Sequence, residues 1–450
     1  MKWILFIIAV LGGVALSAAP WVQPLLSPAS PGSQGSNLTA GPDGTLYLTW
    51  SEPGRAPLAT PDAGMAERAL RVAMLAPGAT TWSTPRTIVS TPHLMENWAD
   101  FASLCNGTDG AWTAQWFQRE PSPDAHGYAG WFARSVDQGE SWSKPAPLGH
   151  EFISLAPLSG GRTLVVWLES LRIPREQRTP GMTTMRLLSR VLSPEGRSLG
   201  EWVVDPDVCN CCQTALVPLG DDRAWVVYRG HTRDEIRDHS FAHFDGSAWS
   251  SPRLLHADDW KIAACPVNGP AAAATAAGDT LTVAWFTAAQ SQPRVQARVS
   301  LDGGHTWGAV LPIDLGRPMG RLDLVMLPDK SAVVLWMEIA TAENAAGIYA
   351  RRIFPDGTLS LPGVVAASSQ ARTSGFPRAA VRNNGRIVMS WTQAGEPLQV
   401  QTCEIDPATL PPRAVAASPI RTVGNDPASA RVPVELCITP MIVSKSKPHP

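Results

Sequence analysis

The chain has 450 residues, of which 44% are hydrophobic and 17% are charged. This composition excludes an intrinsically disordered chain, which would be poor in apolar residues and rich in charge. Lys and Arg number 37 against 39 Asp and Glu, so the net charge of -2 gives no overall field that would attract nucleic acid.

Residues 1–19 have the features of a secretory signal peptide. Lys2 precedes an apolar run at residues 3–16, and small residues follow it. The run has about 14 residues, whereas roughly 20 are needed to span a bilayer. We therefore predict that the protein is secreted or periplasmic. It would contact a membrane only through this segment, if the segment is not cleaved.

A short apolar strand that ends in an aromatic residue recurs along the chain. Successive copies are 51 to 66 residues apart, and their aromatic ends are Trp50, Trp116, Trp167, Tyr228, Trp285, Trp336 and Trp391. Turn pairs rich in Asn, Asp and Gly precede most copies, and such pairs favour tight hairpins. Four antiparallel strands in each repeat are typical of the blades of a β-propeller. We predict an all-β fold, a single propeller with seven four-stranded blades, and six blades are the alternative.

The repeats place the propeller at residues 37–420. Its seventh blade can be completed by strands at residues 400–405 and 414–420. Residues 20–36 are then an N-terminal extension, and residues 421–450 form a Pro-rich C-terminal tail. One closed domain replaces the roughly three domains that the length alone would suggest.

Two short segments share one turn pattern. Residues 135–142 and 300–307 both read Ser-x-Asp-x-Gly-x-Ser/Thr-Trp. The pattern resembles the Asp box, or BNR repeat, of the sialidase superfamily. This resemblance implies a sialidase-like propeller in which Asp137 and Asp302 hold turn amides and have no catalytic role. The enzymes of that family have six blades, whereas seven are predicted here.

The same resemblance implies candidate catalytic residues. Family sialidases bind the carboxylate of the substrate with three arginines and use a Tyr nucleophile, assisted by Glu, and an Asp acid/base. Arg229 lies where one such arginine would, Asp100 is the candidate acid, and Tyr228 is the candidate nucleophile. The first family arginine has no counterpart in residues 32–40. The sequence therefore leaves open whether the protein is an enzyme.

The loops that lead into and out of the blade four strands, and into blade five, are rich in groups that can bind an anion. Guanidinium groups bind carboxylate, phosphate or sulfate in a bidentate manner. The candidate ligand-binding residues are Arg229, Arg233, Arg237, His231, Lys261 and Asn268. In the alternative interpretation, the arginines pair with Asp234, Glu235 and Asp238 and only brace the loop.

The cysteines support a second kind of site. Three lie within four residues, a fourth lies in the loop that leads into blade five, and others lie near the C-terminus. The candidates for disulfides are Cys209, Cys211, Cys212, Cys265, Cys403 and Cys437. We predict that Cys265 pairs with one of the first three, and Cys403 with Cys437. The alternative is a soft-metal site for Cu(I) or zinc that His231 or His239 completes. Because Cys-x-Cys-Cys lacks the separated pairs of a zinc site, we assign no metal and no other cofactor.

Together these features predict an exported, sialidase-like propeller that binds a glycan or another anionic ligand on its loops, without an intact sialidase site. A protein partner on the same face is a further expectation, and nucleic acid is not expected. Two alternatives stay open. One is an exo-acting glycoside hydrolase of sialidase type, and the other is a protein-interaction or metal-handling propeller that uses the cysteines.

Overall fold

The computed structural model describes residues 20–54, 66–119 and 127–411. These residues form seven four-stranded antiparallel sheets, which are the blades of a propeller. Their helical segments are 3-10 turns at Ser159–Gly161, Arg175–Gln177, Ala289–Ser291 and Arg372–Ser374. No helix within these ranges is long and apolar enough to cross a membrane. The predicted signal peptide and C-terminal tail lie outside the described residues.

One strand, β1 at Val22–Leu25, comes before the first blade. The strands of blade 1 are β2 Gln34–Ala40, β3 Leu46–Pro53, β4 Arg68–Leu75 and β5 Arg86–Thr91. Those of blade 2 are β6 Ser103–Asn106, β7 Trp112–Arg119, β8 Tyr128–Ser135 and β9 Ala146–Gly149. Those of blade 3 are β10 Glu151–Pro157, β11 Thr163–Ser170, β12 Met185–Leu192 and β13 Ser198–Asp205.

The remaining blades repeat this order. The strands of blade 4 are β14 Ala215–Pro218, β15 Ala224–Arg229, β16 His239–Phe244 and β17 Arg253–Leu254. Those of blade 5 are β18 Ala271–Ala274, β19 Leu281–Thr287, β20 Arg294–Ser300 and β21 Leu311–Pro312. Those of blade 6 are β22 Pro318–Met326, β23 Ala332–Ile339, β24 Ala345–Ile353 and β25 Gly363–Ser369. Blade 7 contains β26 Arg378–Val381, β27 Ile387–Gln393 and β28 Gln399–Ile405. The prediction of seven four-stranded blades is confirmed.

The closure of the propeller differs from the prediction. The outermost strand of blade 7 is β1, which pairs with β28 in the register Val22↔Ile405 and Leu25↔Thr402. Residues 20–36 are therefore not a simple extension, because four of them complete the last blade and others begin β2. The strand predicted at residues 414–420 lies outside the described residues. Hydrogen bonds between β1 and β28 therefore close the ring of blades.

Neighbouring blades pack face to face, and this explains the apolar strands of the repeat. The second strand of a blade has neighbours on both faces, so β3 and β19 are buried over nearly their whole length. Trp50, Trp285 and Trp336 are fully buried, each two or three residues before the end of its strand. Side chains two residues apart lie on one side of a strand, and three indoles use this spacing to donate to a glutamate. These pairs are Trp50–Glu52, Trp167–Glu169 and Trp336–Glu338.

The turns with the Asp-box pattern are closed by their own side chains. The Asp137 carboxylate accepts hydrogen bonds from the Ser141 amide at 2.9 Å and from the Ser135 hydroxyl at 2.8 Å. Asp302 accepts from the Thr306 amide at 2.9 Å in the same way. Hydrogen bonds from the Ser141 and Thr306 hydroxyls, together with these bonds, hold the pKa of both carboxyls at about 2. Both aspartates therefore brace the hairpins that join the third and fourth strands of blades 2 and 5.

Candidate functional site

The loop face is the face of the propeller where first strands begin and second strands end. Residues 208–214 cross this face on the way into blade 4. The Cys209 amide donates to the Arg229 carbonyl at 3.0 Å, which fixes the start of the segment to the end of β15. The Gln213 side chain fixes its end. Gln213 Nε2 donates to the Ala99 carbonyl at 2.6 Å, and its Oε1 accepts from the Gly269 amide at 2.8 Å.

This segment contains three cysteines whose side chains lie close together. They are Cys209, Cys211 and Cys212, here called the cysteine cluster. Their exposed fractions are 1%, 8% and 2%. The Sγ of Cys209 lies 3.9 Å from the Sγ of Cys211 and 3.9 Å from that of Cys212. All three sulfurs lie within 4.8 Å of one another. The sequence places three thiols within four residues, and the fold brings their sulfur atoms into a buried triangle.

Cys265 is the fourth sulfur of this region. It is exposed, and its thiol shares a hydrogen bond with Cys211. That bond lowers the pKa of Cys265 to about 7. The hydrogen bonds from Cys211 and Cys212, together with two nearby arginines, hold the pKa of Cys209 well below its ordinary value. Burial raises the pKa of Cys212 to about 12. Within this group the pKa values of Cys209 and Cys265 are lowered and those of Cys211 and Cys212 are raised.

The described cysteines are free thiols in the structure, including Cys105 and Cys403. Cys437 lies outside the described residues. The disulfides expected from the sequence therefore stay predictions.

Arg237 lies against the cysteine cluster. Its Nη1 is 3.4 Å from the Sγ of Cys209 and 3.2 Å from Oδ1 of Asn210, and its Nη2 donates to Glu235 at 2.7 Å. The side chain of Arg237 is nearly buried. Arg237 thus contacts Glu235, as in the interpretation in which the arginines brace the loop, and it also contacts the Cys209 thiol.

Arg229 does not fit its predicted role as a ligand-binding residue. It is 2% exposed, and its guanidinium donates to the carbonyls of Arg237, Asn268 and Phe286 at 2.7 to 2.8 Å. It also lies over the Trp260 ring, with its Cζ 4.8 Å from the ring centroid. These contacts use Arg229 to join blades 4 and 5, and its burial keeps the guanidinium away from an anion at the surface.

The other predicted ligand-binding residues are divided between two environments. Arg233 and Lys261 are exposed. His231 is held by Asp207, with Nδ1 2.7 Å from Oδ1, and Asn268 accepts from the Arg321 amide at 2.7 Å. His231 and Asn268 therefore have structural partners, and the predicted six residues do not form one anion site.

Asp100 is not the exposed acid that the sequence suggested. It is 4% exposed, and its Oδ2 accepts from the Phe152 amide at 3.0 Å. Burial raises its pKa well above the ordinary value. The Tyr128 phenol hydrogen-bonds to both Asp100 and Glu151. Burial, followed by the charge of Cys265, raises the pKa of Glu151 to about 8.

The phenol at the centre of this group was not singled out by the sequence, because Tyr128 and Glu151 belong to different blades. Tyr228, the predicted nucleophile, is 1% exposed and donates to Asp205 at 2.6 Å. Its position therefore excludes attack on a ligand at the loop face. Tyr128 is instead the tyrosine whose phenol contacts two carboxyl groups on the loop face.

A pocket lies beside Trp98, between blades 1, 2 and 7 on the loop face. Its wall includes Leu94, Glu96, Asn97, Trp98, Phe101 and Phe376. Trp98 stacks on Phe376 with ring centroids 5.9 Å apart, and the exposed Arg372 has its Cζ 5.9 Å from the Trp98 ring. Glu96 is paired with Arg68 at 2.9 Å. Asp100 borders both this pocket and the central channel.

No model of a known protein family matches the sequence, and no curated protein matches it. Solved structures do match. The BP39L lectin from Burkholderia pseudomallei is 12% identical, with a TM-score of 0.56 over 82% of this chain and 96% of the lectin. A protein of unknown function from Dyadobacter fermentans is 16% identical, with a TM-score of 0.46 over 86% of this chain and all of that one.

The intramolecular trans-sialidase from Ruminococcus gnavus is 11% identical, with a TM-score of 0.42 over 84% of this chain and 95% of that chain. At 12% identity the likeness to the lectin supports the fold alone. The chain is a β-propeller with seven four-stranded blades.

Proposed function

We propose that the protein is an exported propeller that binds a glycan or another anionic ligand on the loop face, around the pocket beside Trp98. The arrangement of that pocket carries the proposal. Sugars are bound by an aromatic face together with a few fixed polar groups. Here the half-buried Trp98 is the aromatic residue, with its ring packed on Phe376 and under the Arg321 guanidinium. Asn97, the Glu96–Arg68 pair and Asp100 are the polar groups of the same wall.

Arg372 supplies the positive charge that an acidic sugar would need. Its guanidinium lies beside Trp98, on the exposed 3-10 turn Arg372–Ser374. Among the described residues, no carboxylate forms an ion pair with it. An exposed arginine on an aromatic ring can therefore receive a carboxylate or sulfate without first losing a partner. The predicted signal peptide at residues 1–19 supports export.

A glycan and polyanion panel tests this proposal. We expect the wild type to bind at least one acidic glycan, and Trp98→Ala and Arg372→Ala to weaken binding at least tenfold. The matched control is Arg253→Ala, because Arg253 also lies on an aromatic ring, 5.3 Å from the centroid of Phe241, but in blade 4. Absence of binding by the wild type, or equal binding by all variants, would contradict the proposal.

Glycoside hydrolysis at Tyr128 is a second candidate, favoured by the contact of its phenol with two carboxyl groups. A protonated carboxyl can donate to a leaving group, and a neighbouring carboxylate can assist a phenol. Turnover of fluorogenic glycosides would test it. We expect Tyr128→Phe and Asp100→Asn to abolish turnover and Tyr228→Phe, a buried tyrosine elsewhere, to retain it. A wild type that is inactive across a broad panel would remove this candidate.

A further inference from the structure

The spacing of the three cluster sulfurs matches that of a metal thiolate site. With a metal–sulfur bond of about 2.3 Å, sulfurs at the corners of a trigonal site lie about 4.0 Å apart. The Sγ of Cys209 is 3.9 Å from each of the other two sulfurs. A disulfide would need about 2.05 Å. One ion at the centre of the triangle could therefore be reached by all three with small shifts.

The set of donors favours a soft, monovalent ion. Thiolates select Cu(I) and zinc among biological metals, and structural zinc almost always takes four ligands. The buried ligands here are three, since Cys265 is exposed at the rim. His231 holds Asp207 with one ring nitrogen and faces Glu235 with the other, so it does not complete a zinc site. Three buried sulfurs satisfy Cu(I), which accepts trigonal coordination.

The surroundings supply the counter-charge. Three thiolates and one Cu(I) carry a net charge of about -2, and burial of an unbalanced charge is costly. Arg237 contacts Cys209 at 3.4 Å, and the charge of Arg229 acts on both Cys209 and Cys212. Two nearly buried arginines therefore offset part of this charge, while Glu235 also pairs with Arg237. Both arginines are held in place by other bonds.

The segment that carries the sulfurs is held before any ion arrives. Cys209 is bonded through its amide to Arg229, and Gln213 is bonded to both Ala99 and Gly269. A preorganised segment loses less conformational freedom on binding, which favours affinity.

We propose that Cys209, Cys211 and Cys212 form a trigonal Cu(I)-binding site, with Arg237 and Arg229 as its counter-ions and Cys265 at its mouth. Binding releases the remaining thiol protons to solvent. The site is separate from the pocket beside Trp98, so it stands whether or not a glycan binds there.

The test uses the full chain, reduced and handled without oxygen, titrated with Cu(I) against a chromogenic Cu(I) chelator. We expect the wild type to retain one Cu(I) per chain. Cys209→Ser and Cys212→Ser should each lower the affinity more than about 100-fold, beyond the 10- to 100-fold cost of losing an outer partner. The matched controls are Cys105→Ser and Cys403→Ser, which remove buried thiols outside the cluster and should bind as the wild type does.

X-ray absorption on the copper-loaded wild type keeps the test independent of whether the variants fold. Three sulfur neighbours around copper would support the proposal. A wild type that retains no Cu(I), an equal affinity for Cys209→Ser, or copper bound by nitrogen or oxygen would overturn it. It would also be overturned by bound zinc that Cu(I) does not displace. Cluster sulfurs found in disulfides in protein from an exporting host would overturn it as well.

Discussion

Nη1 of Arg237 lies 3.4 Å from the Sγ of Cys209, while Nη2 of the same guanidinium is held 2.7 Å from Glu235. The arginine thus points a fixed positive charge at a buried sulfur. A charge in this place stabilises a thiolate over a thiol, and it stabilises an anionic metal complex for the same reason.

Replacement of Arg237 by an uncharged residue should weaken metal binding. For Arg237→Met we expect a 10- to 100-fold loss of Cu(I) affinity, the usual cost of losing an outer partner of a metal site. Chelator competition measures the loss. Arg233→Met is the control, because Arg233 is an exposed arginine in the same loop. An unchanged affinity in Arg237→Met, with its unfolding midpoint close to that of the wild type, would refute this role.

The N-terminal strand should contribute strongly to stability. Trp21 is 5% exposed in the core between blades 6 and 7, and its carbonyl accepts from the Asp406 amide. Truncation of a buried Trp typically costs about 3–5 kcal/mol, so Trp21→Ala should lower the free energy of unfolding by that amount. Urea unfolding measures it. Leu26→Ala is the control, because Leu26 is 84% exposed and its loss should have little effect. Equal stabilities for the two variants would count against closure by β1.

The raised pKa of Glu151 should make stability depend on pH. A carboxyl with an ordinary pKa of about 4.3 when unfolded and about 8 when folded binds more protons in the folded state between these values. The contribution of this carboxyl to the free energy of unfolding is therefore full below about pH 4 and is lost as the pH rises toward about 8. Between about pH 5 and pH 7, the free energy of unfolding of the wild type should fall by about 2–3 kcal/mol relative to that of Glu151→Gln.

Urea unfolding across this pH range measures the difference between the two proteins. Glu195→Gln serves as the control, because Glu195 lies in an exposed turn. Parallel stability curves for the wild type and Glu151→Gln would show that the buried carboxyl does not titrate in this range.

Asp137 should act in the opposite direction. The hydrogen bond from the Ser141 hydroxyl is the first of several that hold its pKa at about 2, below the ordinary value of about 3.9. Its contribution is present above about pH 4 and is lost as the pH falls through about 2. The stability difference between the wild type and Asp137→Ala should therefore shrink in acid. A difference that stayed constant down to about pH 2 would contradict this, and Asp234→Ala is the exposed control.

The blades could be predicted because each repeat contains local sequence signals for its strands and turns. A buried Trp at the end of an apolar strand, and a turn pair before that strand, are local signals. Glu52 shows a local signal that was missed, since residues two apart on a strand share a face and its carboxylate takes the Trp50 indole.

The rest of the site depends on contacts between distant parts of the chain. Nothing in the sequence near Val22 indicates Ile405 as its partner, since pairing across the whole chain has no local signal. Arg229 was correctly placed at the end of a strand, but its partners are carbonyls of a neighbouring blade. Backbone carbonyls are present at every position, so their use as acceptors cannot be seen in side-chain patterns.

Gln213 belongs to blade 4, yet its amide reaches Ala99 of blade 2 and Gly269 of blade 5. Ala99 is flanked by Trp98 and Asp100, and Gln213 directly follows Cys212. One side chain thus connects the backbone beside Trp98 to the segment that carries the cysteine cluster. Thermodynamic reciprocity requires that any coupling carried by this amide act equally in both directions. If both proposed sites bind their ligands, a coupling through Gln213 would change the affinities for Cu(I) and for the glycan by the same factor.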